Sequence, residues 1–327
     1  MGNLTYQKIA KMANVAVSTV SKALSGSNEV SEDTAAKVYT VALNCGYFEE
    51  KRMQRRQLSP RNPLTVSLLV PEIDSTEYSR TVAIVYRRLE NLGIDMKLHI
   101  VGFDLQKETE MLGKLQTDIS VDGILSCSIH PITSPLAIPV VQMACKGQVD
   151  SVYSDVLGTM KKAVNFFKQQ QYREIAFVGE EKTQAKQRAF LQAMKDAGFP
   201  THATSVYTDE KRFQEAGRYA VRRMIQNGYI PDAIITPYDE IALGVMEELN
   251  HHDVAIPQRV AILGYNNTKY ATLPEIGLSS VELFEEKQCE IAVNLLLERI
   301  RGTLKDPPQE IKIESNLVLR RTTRLNL

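Results

Sequence analysis

The sequence predicts a small all-α helix-turn-helix domain followed by a larger α/β region of two lobes built on parallel, doubly wound sheets. Three observations carry this expectation. The chain is 327 residues long, more than one domain ordinarily holds. Its first part contains three short amphipathic helical patterns in succession. From Leu64 onward, strand-like runs alternate with helical runs of 10–18 residues, the pattern of parallel sheets with right-handed crossovers. About 265 residues is large for one such sheet, so two lobes are expected, with a ligand cleft at the carboxyl ends of the strands.

The first elements follow from capping and periodicity. Thr5 is placed to cap a helix over Tyr6–Ala13, whose Ile9, Ala10 and Ala13 share a face. Asn14 falls where the turn needs a left-handed residue, a conformation asparagine tolerates better than most. A second helix, Val17–Leu24, turns Val20, Ala23 and Leu24 inward and stops at Ser25-Gly26-Ser27-Asn28. Ser31 can cap a third, Glu32–Asn44, with Ala35, Val38 and Ala42 at helical spacing, Val41 flanking, and Gly46 ending it.

Two short helices joined by a tight turn, with the small Ala10 where they approach, suit a helix-turn-helix. The alternative is a helical cap on an α/β enzyme. The polar face of the second helix (Ser18, Thr19, Ser21, Lys22) argues for the former, because short hydroxyls and one cation suit phosphates and base edges. A structural use of Thr19 and Ser21, as caps or core-edge hydrogen-bonding groups, stays open.

In the body, strands are expected at Leu64–Val70, Met96–Val101, Gly123–Ser126, Val140–Met143, Ile175–Gly179, Ala233–Thr236 and Val260–Gly264. Helices are expected at Ser79–Leu92, Thr183–Ala197, Phe213–Asn227, Glu240–Asn250 and Glu285–Arg301.

Composition narrows the function classes. With 43% apolar and 24% charged residues, the chain can bury substantial cores and is not largely disordered. No stretch approaches the ~20 apolar residues of a membrane span, and the N-terminus lacks the apolar core of a signal peptide. Cys45, Cys127, Cys145 and Cys289 lie far apart without C-x-x-C spacing, which suits reduced thiols in a cytoplasmic protein and argues against a disulfide framework or a zinc site. The net charge of zero conceals an asymmetry: residues 1–62 hold nine Lys/Arg against five Asp/Glu, and the remainder carries the opposite excess. A basic end on an acidic body suggests a polyanion partner. Dinucleotide, P-loop, zincin and nucleophile-elbow motifs are all missing, and the five histidines show no ligand spacing, so no metal, cofactor or enzyme activity is expected.

The run from Thr5 to Gly26, with its Thr19-Val-Ser-Lys-Ala-Leu24 core, the later Val30-Ser31-Glu32-x-Thr34, and Gly46-Tyr47, resembles the DNA-binding domain of the LacI/GalR (lactose/galactose repressor) family. Val121-Asp-Gly-Ile124, Ile138-Pro-Val-Val141, Thr236–Gly244 and Ile256–Asn267 resemble that family's effector domain, so the likeness covers nearly the whole chain. It implies periplasmic-binding-protein-like lobes and a homodimer that binds a near-palindromic DNA operator under the control of a carbohydrate-like small molecule. The protein would then be a transcriptional repressor of bacterial type, cytoplasmic and nucleoid-associated. A cytoplasmic sugar-binding protein without DNA affinity is the alternative of a different class. The implied division is 1–48 for the DNA-binding domain, 49–63 for a hinge, and 64–327 for the effector and dimer region. Within that region one lobe takes about 64–158 plus 282–305, and the other about 159–281 plus 306–327.

By the same resemblance Val17, Ser18 and Lys22 hold the base-reading positions, and Thr5, Thr19, Ser21 and Ser31 are phosphate contacts. Valine can pack on a thymine methyl and serine can donate or accept, while lysine reaches guanine without the bidentate fork of the family's usual arginine. The hinge departs from the family. Arg56 stands at the usual leucine, and Met53 replaces a small residue. The expectation is that Arg55 meets phosphate and Arg56 enters an A·T-rich minor groove, with Met53 the one remaining apolar wedge; a solvated flexible tether is the alternative. The effector contacts carried over are Ser75, Tyr78, Asp155, Lys186, Asp239 and Asn267, with Tyr78 or Phe190 available to stack on an apolar ligand face. Each of these could instead be a structural cap or a hydrogen bond between lobes.

Overall fold

The computed structural model describes residues 6–58, 63–202 and 205–323, in two compact units. The first unit comprises the described residues of Met1–Asp74, Tyr78–Tyr153 and Glu286–Ile311; the second comprises those of Ser75–Glu77, Ser154–Glu285 and Lys312–Leu327.

The first unit begins with α1 (Tyr6–Ala13), α2 (Val17–Leu24) and α3 (Glu32–Asn44), with the bounds expected from the sequence. Asn14 adopts φ +52° in the turn between α1 and α2, as its position required. Ile9, Ala13, Val20, Val38 and Ala42 are buried together. The fourth helix, α4 (Tyr47–Leu58), makes residues 49–58 of the hinge a regular element, against the alternative of a flexible tether. Its Tyr47 and Phe48 join the core of the first three helices, and the Phe48 ring stacks on Tyr39 at 6.1 Å and 8°.

The α/β part of this unit runs β1 (Thr65–Val70), α5 (Thr76–Asn91), β2 (Asp95–Ile100), α6 (Leu105–Thr117), β3 (Gly123–Ser126), β4 (Val140–Gln142) and β5 (Asp150–Ser154). With β11 (Glu310–Ile313) they form a six-stranded sheet of order β11-β5-β4-β3-β1-β2, whose β1–β2, β1–β3, β3–β4 and β4–β5 pairs are parallel. Helix α11 (Glu285–Arg301) packs so closely on β3 that a Cβ at Gly123 would lie 2.7 Å from Ile300 Cδ1. That glycine and the register Val66↔Gly123 fix the start of β3, and with it the neighbouring Asp122, at the amino-terminal end of a central strand.

The second unit holds α7 (Val156–Gln169), β6 (Ile175–Glu180), a 3-10 turn (Glu181–Thr183), α8 (Gln184–Asp196), β7 (Val206–Asp209), α9 (Phe213–Gln226), β8 (Ala233–Ile235), α10 (Asp239–His251), β9 (Ala261–Tyr265), β10 (Ser279–Glu282) and β12 (Asn316–Val318). Its sheet order is β12-β10-β9-β8-β6-β7, parallel except that β12 runs antiparallel to β10. Strand residues alternate between two cores. Ile175 and Phe177 face α7 and α8, whereas Ala176 and Val178 face α9 and α10. A sheet covered on both faces explains why these strands read as continuous apolar runs. Phe190 belongs to the first of those cores, fully buried with its ring 5.6 Å from Phe177, so it is a packing residue and not a platform for a ligand.

Candidate functional site

Helix α2 presents a face that the fold leaves open. Val20 and Ala23 are buried and anchor the helix, while Val17, Ser18, Ser21 and Lys22 are exposed and Thr19 is half-buried. Ala16, at the N-cap, supplies no side-chain bond to the first turn. Lys22 forms an ion pair with Glu29, and both side chains are solvent-exposed. Such a pair contributes ~0–1 kcal/mol, so an outside anion can displace Glu29 readily. Ser31 caps α3: its Oγ accepts from the Thr34 N–H at 3.4 Å and donates to Thr34 Oγ1 at 2.9 Å, yet the residue stays exposed. Thr5 lies outside the described residues.

Helix α4 behaves differently. Arg52 is 3% exposed and donates to Ala137 O at 3.3 Å, to Leu115 O at 3.4 Å and to Gln116 O. Burial lowers its pKa, against an opposing field from Asp122. Arg55 donates to Ser120 O at 2.7 Å and to Asp122 Oδ2 at 2.5 Å. Arg56 donates to Asp122 Oδ1 at 2.9 Å and to Ile300 O at 3.1 Å. The two guanidinium groups expected at phosphate and in the minor groove are thus held, in this structure, by a buried carboxylate and two main-chain carbonyls. Met53 is exposed on the other side of the helix.

In the second unit, Lys186 is the centre of a polar cluster. Its ammonium donates to Glu77 Oε2 and to Pro237 O, each at 3.0 Å, and lies 4.6 Å and 4.4 Å from the ring centroids of Tyr238 and Tyr265. Asn266 Nδ2 donates to the same Glu77 oxygen at 3.2 Å, while its Oδ1 is buried without a partner among the described residues. Asn266 and Glu77 were thus missed from sequence. The Asn266-Asn267 pair offers two candidates, of which the family resemblance points to Asn267, and nothing in the sequence marks Glu77 as a group facing the lysine.

The remaining sequence candidates have structural work in this fold. Asn267 donates to Glu282 at 2.6 Å and accepts from Arg320 at 2.8 Å. Asp239 is fully buried, accepting from Ser280 Oγ and from the Thr268 N–H, each at 2.6 Å. Gly264 makes room for it, since a Cβ there would lie 2.3 Å from Asp239 Oδ1. Burial pushes the Asp239 carboxyl up to about 6, outweighing those hydrogen bonds. Asp155 caps α7 through the Gly158 N–H at 2.9 Å and pairs with Lys312 at 2.9 Å. Burial raises its pKa, but the Gly158 and Lys312 bonds prevail and hold it below the usual range. Ser75 is buried in the second unit, and Tyr78, in the first, makes an edge contact with Phe103 at 6.2 Å. Asp155, Asp239 and Asn267 thus each hold hydrogen bonds within the second unit. No group of three or more His, Cys, Asp or Glu able to hold a metal occurs among the described residues.

Comparison with known proteins places these features in context. The family described as bacterial regulatory proteins, lacI family, matches residues 5–49, and that described as periplasmic binding protein-like domain matches residues 164–323. The HTH-type transcriptional regulator GalR of Lacticaseibacillus casei is 26% identical, over 97% of this chain and 98% of its own. The HTH-type transcriptional repressor PurR of Glaesserella parasuis is 24% identical over 98% of each chain. Among solved structures, the lac repressor dimer bound to operator and the anti-inducer ONPF has a TM-score of 0.70 at 17% identity, covering 98% of this chain and 99% of that one. A complex of the transcriptional regulator CelR with cellobiose has a TM-score of 0.66 at 23% identity, with the same coverage.

Proposed function

The chain belongs to the LacI/GalR family of bacterial transcriptional regulators, and from that premise we propose that it is a repressor whose α2 reads operator DNA in the major groove. It is a DNA-binding regulator and not an enzyme. The observation that carries the reading is the open face of α2: Val17, Ser18, Ser21 and Lys22 are exposed while Val20 and Ala23 anchor the helix. Base edges need an apolar contact, a hydroxyl and a cation in just such an arrangement. Ser31 and Thr19 flank that face as phosphate contacts. The chain acts as a homodimer on a near-palindromic operator, one recognition helix in each of two successive major grooves. Its place of action is the nucleoid; no helix among the described residues is long and apolar enough to cross a membrane.

The effector reading rests on Lys186. Its ammonium, capped by two aromatic rings and held by Glu77, stands with the unpaired Asn266 acceptor as a donor and acceptor set for a polyhydroxyl compound. A carbohydrate-like molecule can supply a hydroxyl to Asn266 Oδ1 and accept from Lys186. Selection of duplexes from a random pool by the full chain tests the DNA reading, and enrichment of a sequence with two-fold symmetry is the expected result. Recovery of no preferred sequence would refute it. A thermal-shift screen of sugars and sugar phosphates tests the effector reading.

A further inference from the structure

We infer that Asp122 is a positioning residue for operator binding: it locks α4 to the α/β part of the first unit, so that α4 aims the reading helix. This rests on the DNA-binding reading above. Helix α4 is continuous over 12 residues and attached at both ends. Tyr47 and Phe48 are buried in the core shared with α1, α2 and α3. Phe48, Arg52, Arg55 and Arg56 follow at four, three and one residue, a single stripe along one side of a helix. That stripe is apolar where it meets the small domain and cationic where it meets the amino-terminal end of β3.

The counter-charge is built into the fold. The Asp122 side chain is fully buried, and its Oδ2 also accepts from the Thr65 N–H at 2.9 Å. Undocking α4 would leave this carboxylate facing Thr65 alone among its described partners, and a buried charge stripped of its counter-ions is strongly unfavourable. Arg52, spread over three main-chain carbonyls at the ends of other elements, would lose its acceptors at the same time. Three of the four cations of α4 thus face the chain's own body, and Lys51 is left on the Tyr47 side at 5.7 Å from that ring. A helix fixed in this way transmits the orientation of the first unit to α2, and in a dimer it sets the distance between the two reading helices.

The test uses the full chain, its selected operator, and operators whose half-sites are moved apart or together by one base pair. The variants are Asp122→Asn and the pair Arg55→Gln with Arg56→Gln. Each is expected to lose at least tenfold in affinity for the preferred spacing and to lose most of the discrimination between spacings. The slope of log affinity against log salt should stay as in the wild type, because no phosphate contact is removed. Combining all three substitutions should weaken binding no further than Asp122→Asn alone. Unchanged or increased affinity in Asp122→Asn, or a slope reduced by one or more in the arginine pair, would overturn the inference. The arginine pair decides the matter if Asp122→Asn does not fold. If the wild type binds no duplex, the DNA reading fails by itself. Docking is then judged by trypsin: cleavage within α4 should be slow in the wild type and at least tenfold faster in Asp122→Asn, and equal rates would overturn it.

Discussion

Helices α2 and α4 both carry cations in the small basic part of the chain, but they use them in opposite ways. Lys22 on α2 is exposed and has one exposed partner, Glu29. Arg52, Arg55 and Arg56 on α4 are buried or half-buried and bonded to carbonyls and to a carboxylate with no solvent exposure. A cation held weakly at the surface is available to an outside anion, whereas one with several buried partners is part of the framework. The same contrast separates the acidic and polar candidates of the second unit. Lys186 and Asn266 keep unpaired or exchangeable capacity, while Asp239 has both oxygens occupied.

Asp239 gives the largest effect by which to break this comparison. Its pKa rises from the ordinary 3.8 to about 6 on folding. In the folded state it therefore binds a proton at a pH where the unfolded chain does not, so its contribution to stability is greatest below about pH 4 and falls as pH rises to about 6. Beyond that the contribution is flat. About two pKa units correspond to roughly 3 kcal/mol. Asp239→Asn should flatten this part of the stability curve, read by denaturant unfolding between pH 4 and 7. A curve of unchanged slope would mean that Asp239 is solvated and open to ligand after all.

Lys186→Met sharpens the other side. A ligand at a hundred times its dissociation constant adds about 2.7 kcal/mol of stability, and this variant should lose that increment without losing operator binding. Retention of the full thermal shift would move the effector away from Lys186. Lys22→Ala comes next: about 1–3 kcal/mol of operator affinity and relaxed preference at one base pair, with melting unchanged because its ion pair is exposed. A variant with undiminished discrimination would remove Lys22 from base reading.

The elements that could be read from sequence are those whose instructions are local. Ser31, Asn14 and Gly46 mark caps and turns by their own conformational preferences, and the apolar spacing of α1, α2 and α3 needs no distant partner. The strands β6, β8 and β9 are covered on both faces and so are apolar up to Glu180 at the end of β6. What escaped was settled by partners far along the chain. The stretch 49–63 carries two acids followed by five bases, a polar composition that suits a solvated linker as well as a helix, and only Asp122, 66 residues from Arg56, shows why the cationic stripe of α4 is docked. Strands β5 (Asp-Ser-Val-Tyr-Ser) and β7 (Val-Tyr-Thr-Asp) are short and mixed, so periodicity gave them no signature. Asn266 and Asn267 both follow β9 with positive φ, at +91° and +43°, and a one-residue shift there exchanges a side chain bonded to Glu77 for one bonded to Glu282 and Arg320. Composition cannot order two identical neighbours.

The smallest expected effect concerns Val17, the apolar member of the α2 face, which is 43% exposed. If its methyls pack on a thymine methyl in the operator, Val17→Ala should weaken binding by about 1 kcal/mol, near the transfer value of one buried CH₂ group. Stability should not fall, because the side chain is outside the core and alanine is the better helix former. The same loss should appear when the wild-type protein meets an operator with uracil in place of the contacted thymine, since uracil differs only by that methyl. Combining the variant with the uracil operator should add nothing further, because each change removes the same contact. Additive losses would place the thymine methyl against another residue, and the recognition helix would then lie rotated from the orientation its open face supports.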